Sequence, residues 1–124
     1  MSKQAVENLS FRPHHRLLTK QDYSAVFEQV DLRISKGPYL LLCRKNQFDQ
    51  PRLGLVVRKK FLKRAVDRNM LKRLARENFR LRQHRLANLD VIFMNRGNSD
   101  QKTDAEIASL VSEIFESLAK RHDR

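Results

Sequence analysis

A single cysteine, Cys43, occurs among 124 residues, so neither an internal disulfide nor a cysteine-rich zinc site is available. Glycine and proline number three each, and no repeat, low-complexity stretch or linker divides the chain. No apolar run approaches the roughly 20 residues that a membrane helix requires. Met1 to Ser10 lacks the basic start and apolar block of a secretory signal. A cytoplasmic protein is expected, forming one domain over residues 1–124 with a loose, polar stretch at Met1–Arg12. Acidic residues are scarce as well, 14 against 26 Lys and Arg, which leaves a net charge of +12.

That charge is concentrated. Arg58 to Arg85 holds twelve bases and two acids, Asp67 and Glu77, a net of +10 in 28 residues. A merely solvated helix face would interleave acids for pairing one turn apart, and two acids cannot serve twelve bases. The segment reads as a docking surface for a polyanion.

The hydrophobic pattern places this surface in an α+β fold. Thr19 caps a short helix, with Asp22 in its first turn and Tyr23, Val26, Phe27 and Val30 as an apolar stripe. Gly37-Pro38 breaks the chain. Tyr39–Cys43 and Leu53–Val57 read as strands, expected to pair as an antiparallel hairpin across the turn-like Asn46–Pro51. A long helix runs from Ala65 to about Arg85, and Asp90–Met94 is a further strand. Thr103 and Glu106 form a capping box ahead of a last helix with Ile107, Leu110, Val111, Ile114, Phe115 and Leu118 on its apolar face.

On a wheel of the long helix starting at Val66, Met70, Leu74, Leu71 and Ala75 fall between about 40° and 180°, an apolar half. Arg68, Lys72, Arg76, Asn69, Arg80 and Arg73 follow between about 200° and 340°. Arg68, Lys72 and Arg76 stack one turn apart, a self-repelling row that a phosphate backbone would relieve. Arginine adds the planar fork that bonds phosphate oxygens in pairs. Few Asn or Gln accompany these cations to read base edges, which disfavours a sequence-specific DNA-binding domain. Charge alone does not separate RNA from DNA.

These residues also carry a family likeness. Lys59-Lys60, Lys63-Arg64, Arg68-Asn69-Met70, Lys72-Arg73, Arg76-Glu77 and Phe79-Arg80 resemble the signature of the bacterial ribonuclease P protein subunit. Arg52 to Leu55 is similar to the strand ahead of it, and Leu18-Thr19 with Tyr23 and Phe27 to the family's first helix. The likeness spans roughly Arg16 to Met94. It implies an αβββαβα two-layer sandwich with a small sheet, in which the long helix joins two parallel strands by a left-handed crossover, against the usual hand.

The likeness further implies a ribonucleoprotein whose RNA is the catalyst and holds the Mg²⁺, the protein contributing no catalytic residue and no metal ligand. Arg64, Arg68, Asn69, Lys72, Arg73, Arg76 and Arg80 would hold the catalytic RNA. Arg16, Tyr23, Phe27, Lys59 and Lys60 would hold the 5′ leader of precursor tRNA. One departure stands out: Met70 replaces the third residue of the family's Arg-Asn-Arg core, so RNA contacts there are expected to differ with the role kept.

Other chemistry has less support. The acids form no cluster of the kind a metal-dependent nuclease needs, and His14-His15 is not at ligand spacing. Cys43 lies in an apolar run that suits a buried thiol. Without the family likeness, Tyr23 and Phe27 would be read as core packing, because aromatics at helical spacing usually face inward. A non-enzymatic RNA-binding module, such as a small ribosomal protein, is the alternative function.

Overall fold

The computed structural model describes Arg16 and residues 19–123. The loose stretch expected at Met1–Arg12 and the pair His14-His15 lie outside these residues. Among the described residues, three α-helices, α1 (Lys20–Glu28), α2 (Ala65–Arg82) and α3 (Asp104–His122), accompany four strands, β1 (Leu32–Lys36), β2 (Tyr39–Lys45), β3 (Arg52–Val56) and β4 (Leu89–Asn95). The element order is the expected αβββαβα.

The strands form one sheet in the order β1-β2-β4-β3. All seven residues of β4 are buried, as are the first five of β2, so each is apolar on both faces and suited to a central place. The expected hairpin between Tyr39–Cys43 and Leu53–Val57 does not form. β4 separates them, antiparallel to β2 and parallel to β3. The other side of β2 pairs with β1 across Gly37-Pro38, so the supposed chain break is a two-residue hairpin turn, with Gly37 at φ 54°. α2 connects the parallel neighbours β3 and β4, the crossover that parallel strands require.

Alternation along the strands divides the core in two. Tyr39, Leu41, Cys43, Leu53, Val91 and Phe93 face Leu71, Ala75 and Phe79 of α2 and Ile107, Val111, Ile114, Phe115 and Leu118 of α3. Within this layer the Phe93 ring lies 5.5 Å from Tyr39 and 6.0 Å from Phe115, centroid to centroid. Leu40, Leu42, Ile92 and Met94 point the opposite way and are met by Val26 of α1, with Tyr23 and Val56 at the rim. To the two expected layers the structure thus adds α1 on the far face.

Local chemistry sets the helix ends. Thr19 with Asp22 and Thr103 with Glu106 both close reciprocal capping boxes. The backbone N–H of Thr103 holds the Glu106 carboxyl below its usual range. α2 and α3 are tied by Arg82 Nε, 3.0 Å from Glu116 Oε1, and by Arg85 Nη1, 3.2 Å from the same oxygen. Arg85 and then Arg82 lower the pKa of Glu116.

Candidate nucleic-acid interface

Buried Leu71, Ala75 and Phe79 fix how α2 is turned. Measured from Ala75, Lys72, Arg76, Asn69, Arg80 and Arg73 lie about 60° to 160° around the helix, a single flank that leaves the core. Lys72 and Arg76 are half-buried, and Asn69 and Arg73 are exposed. Arg80 donates from Nη2 to Glu77 Oε1 at 2.7 Å, and Arg64, exposed ahead of the helix, lies 3.4 Å from Asp67.

The apolar stripe is centred on Leu71, Ala75 and Phe79, and Val66, where the wheel starts, is 60% exposed. One reading of the wheel needs correction, that of Arg68. It falls only about 20° from Ala75, and its Nη1 donates to the carbonyls of Leu62 at 3.0 Å and Lys63 at 2.7 Å. It is therefore half-buried and bonded, not the free head of an exposed row.

Before α2 the chain makes a tight basic loop. Lys59–Phe61 is a single 3₁₀ turn, and Arg58, Lys59, Lys60, Lys63 and Arg64 are all exposed on it or beside it. Its backbone is held from β4 and beyond. Arg58 N–H donates to Asn95 Oδ1 at 2.6 Å, and Asn95 Nδ2 returns a bond to the Arg58 carbonyl at 3.1 Å. Ser99 N–H donates to the Phe61 carbonyl and Lys63 N–H to Asp100 Oδ1. Lys60 Nζ lies 5.0 Å over the Phe61 ring. Arg58, Lys63 and the buried clamp Asn95 were not among the sequence candidates. A lone Asn closing an apolar strand was the one signal for the clamp.

The second candidate group gathers around β3. Arg16 is exposed and bridges Leu53 on the outer edge of that strand. The half-buried Tyr23 accepts a hydrogen bond at its hydroxyl from Leu55 N–H, 3.2 Å away. Lys59 and Lys60 continue from the same strand. Phe27, one turn beyond Tyr23, is 47% exposed, whereas its neighbour Val26 is buried in the core and Tyr23 packs at the rim. Below Tyr23, Arg52 binds the buried Asp90 through Nε at 2.9 Å and Nη2 at 2.7 Å. It also lies 3.6 Å from Asp22 and 4.7 Å over the Phe48 ring. Sequence reasoning missed this pair, which couples residues 38 positions apart.

Fold and surface together define a small, basic α+β protein that displays its charge on a backbone-clamped loop and one helix flank, the class suited to a nucleic-acid partner. Residues 11–119 match the family described as Ribonuclease P. The chain is 47% identical over 116 residues to the ribonuclease P protein component of Haemophilus influenzae, covering 94% of this chain and 93% of that protein. It is 42% identical over 109 residues to that of Alcanivorax borkumensis, covering 88% and 90%. The solved ribonuclease P protein of Thermotoga maritima is 32% identical, with TM-score 0.67 over 86% of this chain and 96% of that one. A Staphylococcus aureus structure, 24% identical with TM-score 0.73 over 84% and 94% of the two chains, shares the fold. The chain belongs to the ribonuclease P protein family, and its role is that of the protein component of the ribonucleoprotein holoenzyme. No helix among the described residues is long and apolar enough to cross a membrane.

Proposed function

We propose that this subunit holds two RNA strands at once: the catalytic RNA along the Lys63-Arg64 end of the basic loop and the flank of α2, and the 5′ leader of precursor tRNA against α1, β3 and the Lys59-Lys60 turn. The observation that carries this reading is that α1 and α2 pack on opposite faces of one sheet. Two separate surfaces result, and the Lys59-Lys60 turn at the end of β3 lies between them in the chain. Arg64, Lys72, Arg73, Arg76 and Arg80 neutralise phosphates of the catalytic RNA, with Asn69 beside them. Phe27 and Tyr23 are platforms on which unpaired leader bases stack without regard to sequence. Arg16, Lys59 and Lys60 meet the leader's phosphates.

The described residues bring together no three His, Cys, Asp or Glu side chains able to hold a metal ion, and we place Mg²⁺ on the RNA. The protein's cations reduce phosphate repulsion, so less Mg²⁺ is needed for cleavage in the cytoplasm, where we place the holoenzyme. Binding of precursor and mature tRNA to the reconstituted holoenzyme tests the leader assignment. Phe27→Ala should weaken precursor binding by about 1–3 kcal/mol, leave mature tRNA unaffected and spare the melting temperature. Tyr23→Phe keeps the ring and loses only the bond to Leu55. Equal weakening of both tRNAs by Phe27→Ala would end the leader assignment.

A further inference from the structure

We infer that Arg68 is a positioning residue, which locks the basic loop into its RNA-ready shape rather than gripping a phosphate itself. The inference rests on the reading that the cations of this loop face RNA. Five of them, Arg58, Lys59, Lys60, Lys63 and Arg64, are exposed within seven residues. Such a cluster repels itself, and a flexible loop would relax by spreading. This loop is instead fastened at both ends. Asn95, fully buried, holds the backbone of Arg58 through two reciprocal bonds. At the other end the carbonyls of Leu62 and Lys63 lie just ahead of the N-cap residue Arg64. Arg68 Nη1 reaches back to both, at 3.0 and 2.7 Å.

A guanidinium suits this task because it remains charged and presents several donors in a fixed plane. Placed one turn into α2, it fixes the loop relative to the helix flank. Lys63 and Arg64 are then held in register with Lys72 and Arg76. A loop ordered in advance loses less conformational freedom on binding, so its cations contribute more of their attraction to affinity. Arg68 thereby strengthens RNA binding without touching a phosphate itself. A cation that touches phosphate and one that shapes the loop differ in a measurable respect. Losing the first lowers the dependence of affinity on salt, and losing the second lowers affinity at unchanged dependence.

The test compares Arg68→Ala with Lys72→Ala in the full-length protein. Binding to a bacterial ribonuclease P RNA is measured across a salt series, and amide hydrogen exchange is measured on the free protein. Arg68→Ala should weaken binding about tenfold with a wild-type salt slope, and should speed exchange at Lys63 and Ser99 but not at Val91 or Phe93. Lys72→Ala should lower the slope by roughly 0.7–0.9 and leave those amides protected. A slope lowered equally by Arg68→Ala, with Lys63 and Ser99 still protected, would overturn the inference. If Arg68→Ala does not fold, Arg68→Lys keeps the charge but not the planar donors. Wild-type affinity and protection in that variant would overturn it as well. A wild-type slope in Lys72→Ala would count against the interface on α2, while the exchange result would still decide what Arg68 does.

Discussion

Removing the carboxylate of Asp90 should be among the costliest single changes in this protein. Its side chain is 1% exposed and accepts three charge-assisted or amide bonds: from Arg52 Nε at 2.9 Å, Arg52 Nη2 at 2.7 Å and Asn46 Nδ2 at 2.7 Å. Asp90→Ala strands a guanidinium that is only 20% exposed, its nearest remaining carboxylate being Asp22 at 3.6 Å. Breaking a buried pair from one side costs about 3–5 kcal/mol. Residual solvation and Asp22 put the expected loss near the lower end, about 3 kcal/mol. For a domain of this size that is roughly 12 °C in melting temperature. The variant would keep only a part of a total stability of about 5–15 kcal/mol. Urea denaturation of Asp90→Ala, Arg52→Met and the double variant gives the coupling directly. The double variant should lose clearly less than the two singles combined, because it leaves no buried charge alone. Losses that add within about 0.5 kcal/mol, or an Asp90→Ala loss under about 1 kcal/mol, would show that water replaces the pair and refute the reasoning.

Three further outcomes follow from the geometry. Lys72→Ala and Arg76→Ala combined should lower the salt slope of RNA binding by roughly 0.7–0.9 for each phosphate no longer neutralised, and an unchanged slope would move the RNA off this flank. Arg85 and Arg82 depress the pKa of Glu116, so its stabilising effect is complete above the unfolded value of about 4.3 and disappears as pH falls through the lower folded value. Glu116→Gln should therefore be less stable near neutral pH and show a flatter acid limb; superimposable pH profiles of the two proteins would contradict this. Gly37→Ala should cost about 1 kcal/mol in urea denaturation, since φ is 54° and the new Cβ would lie 3.4 Å from Leu110; wild-type stability would show that the turn relaxes freely.

Features decided by neighbours in sequence were legible. Both capping boxes could be read because Thr19 and Asp22, like Thr103 and Glu106, are three residues apart and need nothing else. The long helix and the two central strands were legible because Leu71, Ala75, Tyr39–Cys43 and Asp90–Met94 carry strong apolar patterns. The polar β1, Leu-Arg-Ile-Ser-Lys, is an edge strand with one buried residue, too weak a pattern to stand out. Sheet order depends on which strand fits between two others, and that is a property of the assembled core. For the site, the flank from Lys72 to Arg80 was visible on the wheel. The inward turn of Arg68 was not, because it depends on where the folded loop ahead of the helix places the carbonyls of Leu62 and Lys63. Arg52 and Asp90 each looked like an ordinary charge at a strand end, and only the parallel pairing of β3 with β4 brings them together.

The insertion of β4 between β2 and β3 has a consequence for the order in which this chain can acquire its function as it is synthesised. The β1–β2 hairpin needs only a two-residue turn and can form early. The most basic segment follows, emerging as a helix whose docking strand has not yet been made. Until Leu89–Asn95 slots in, β3 has no partner in the sheet, Asn95 cannot hold Arg58, and Asp90 cannot hold Arg52. Ser99 and Asp100, which fasten the loop, come later still. A chain stopped short of these residues carries nearly all of the positive charge and none of the architecture that shapes it. Such a fragment would attract RNA indiscriminately, so the surface becomes selective only when the last strand and helix close the fold.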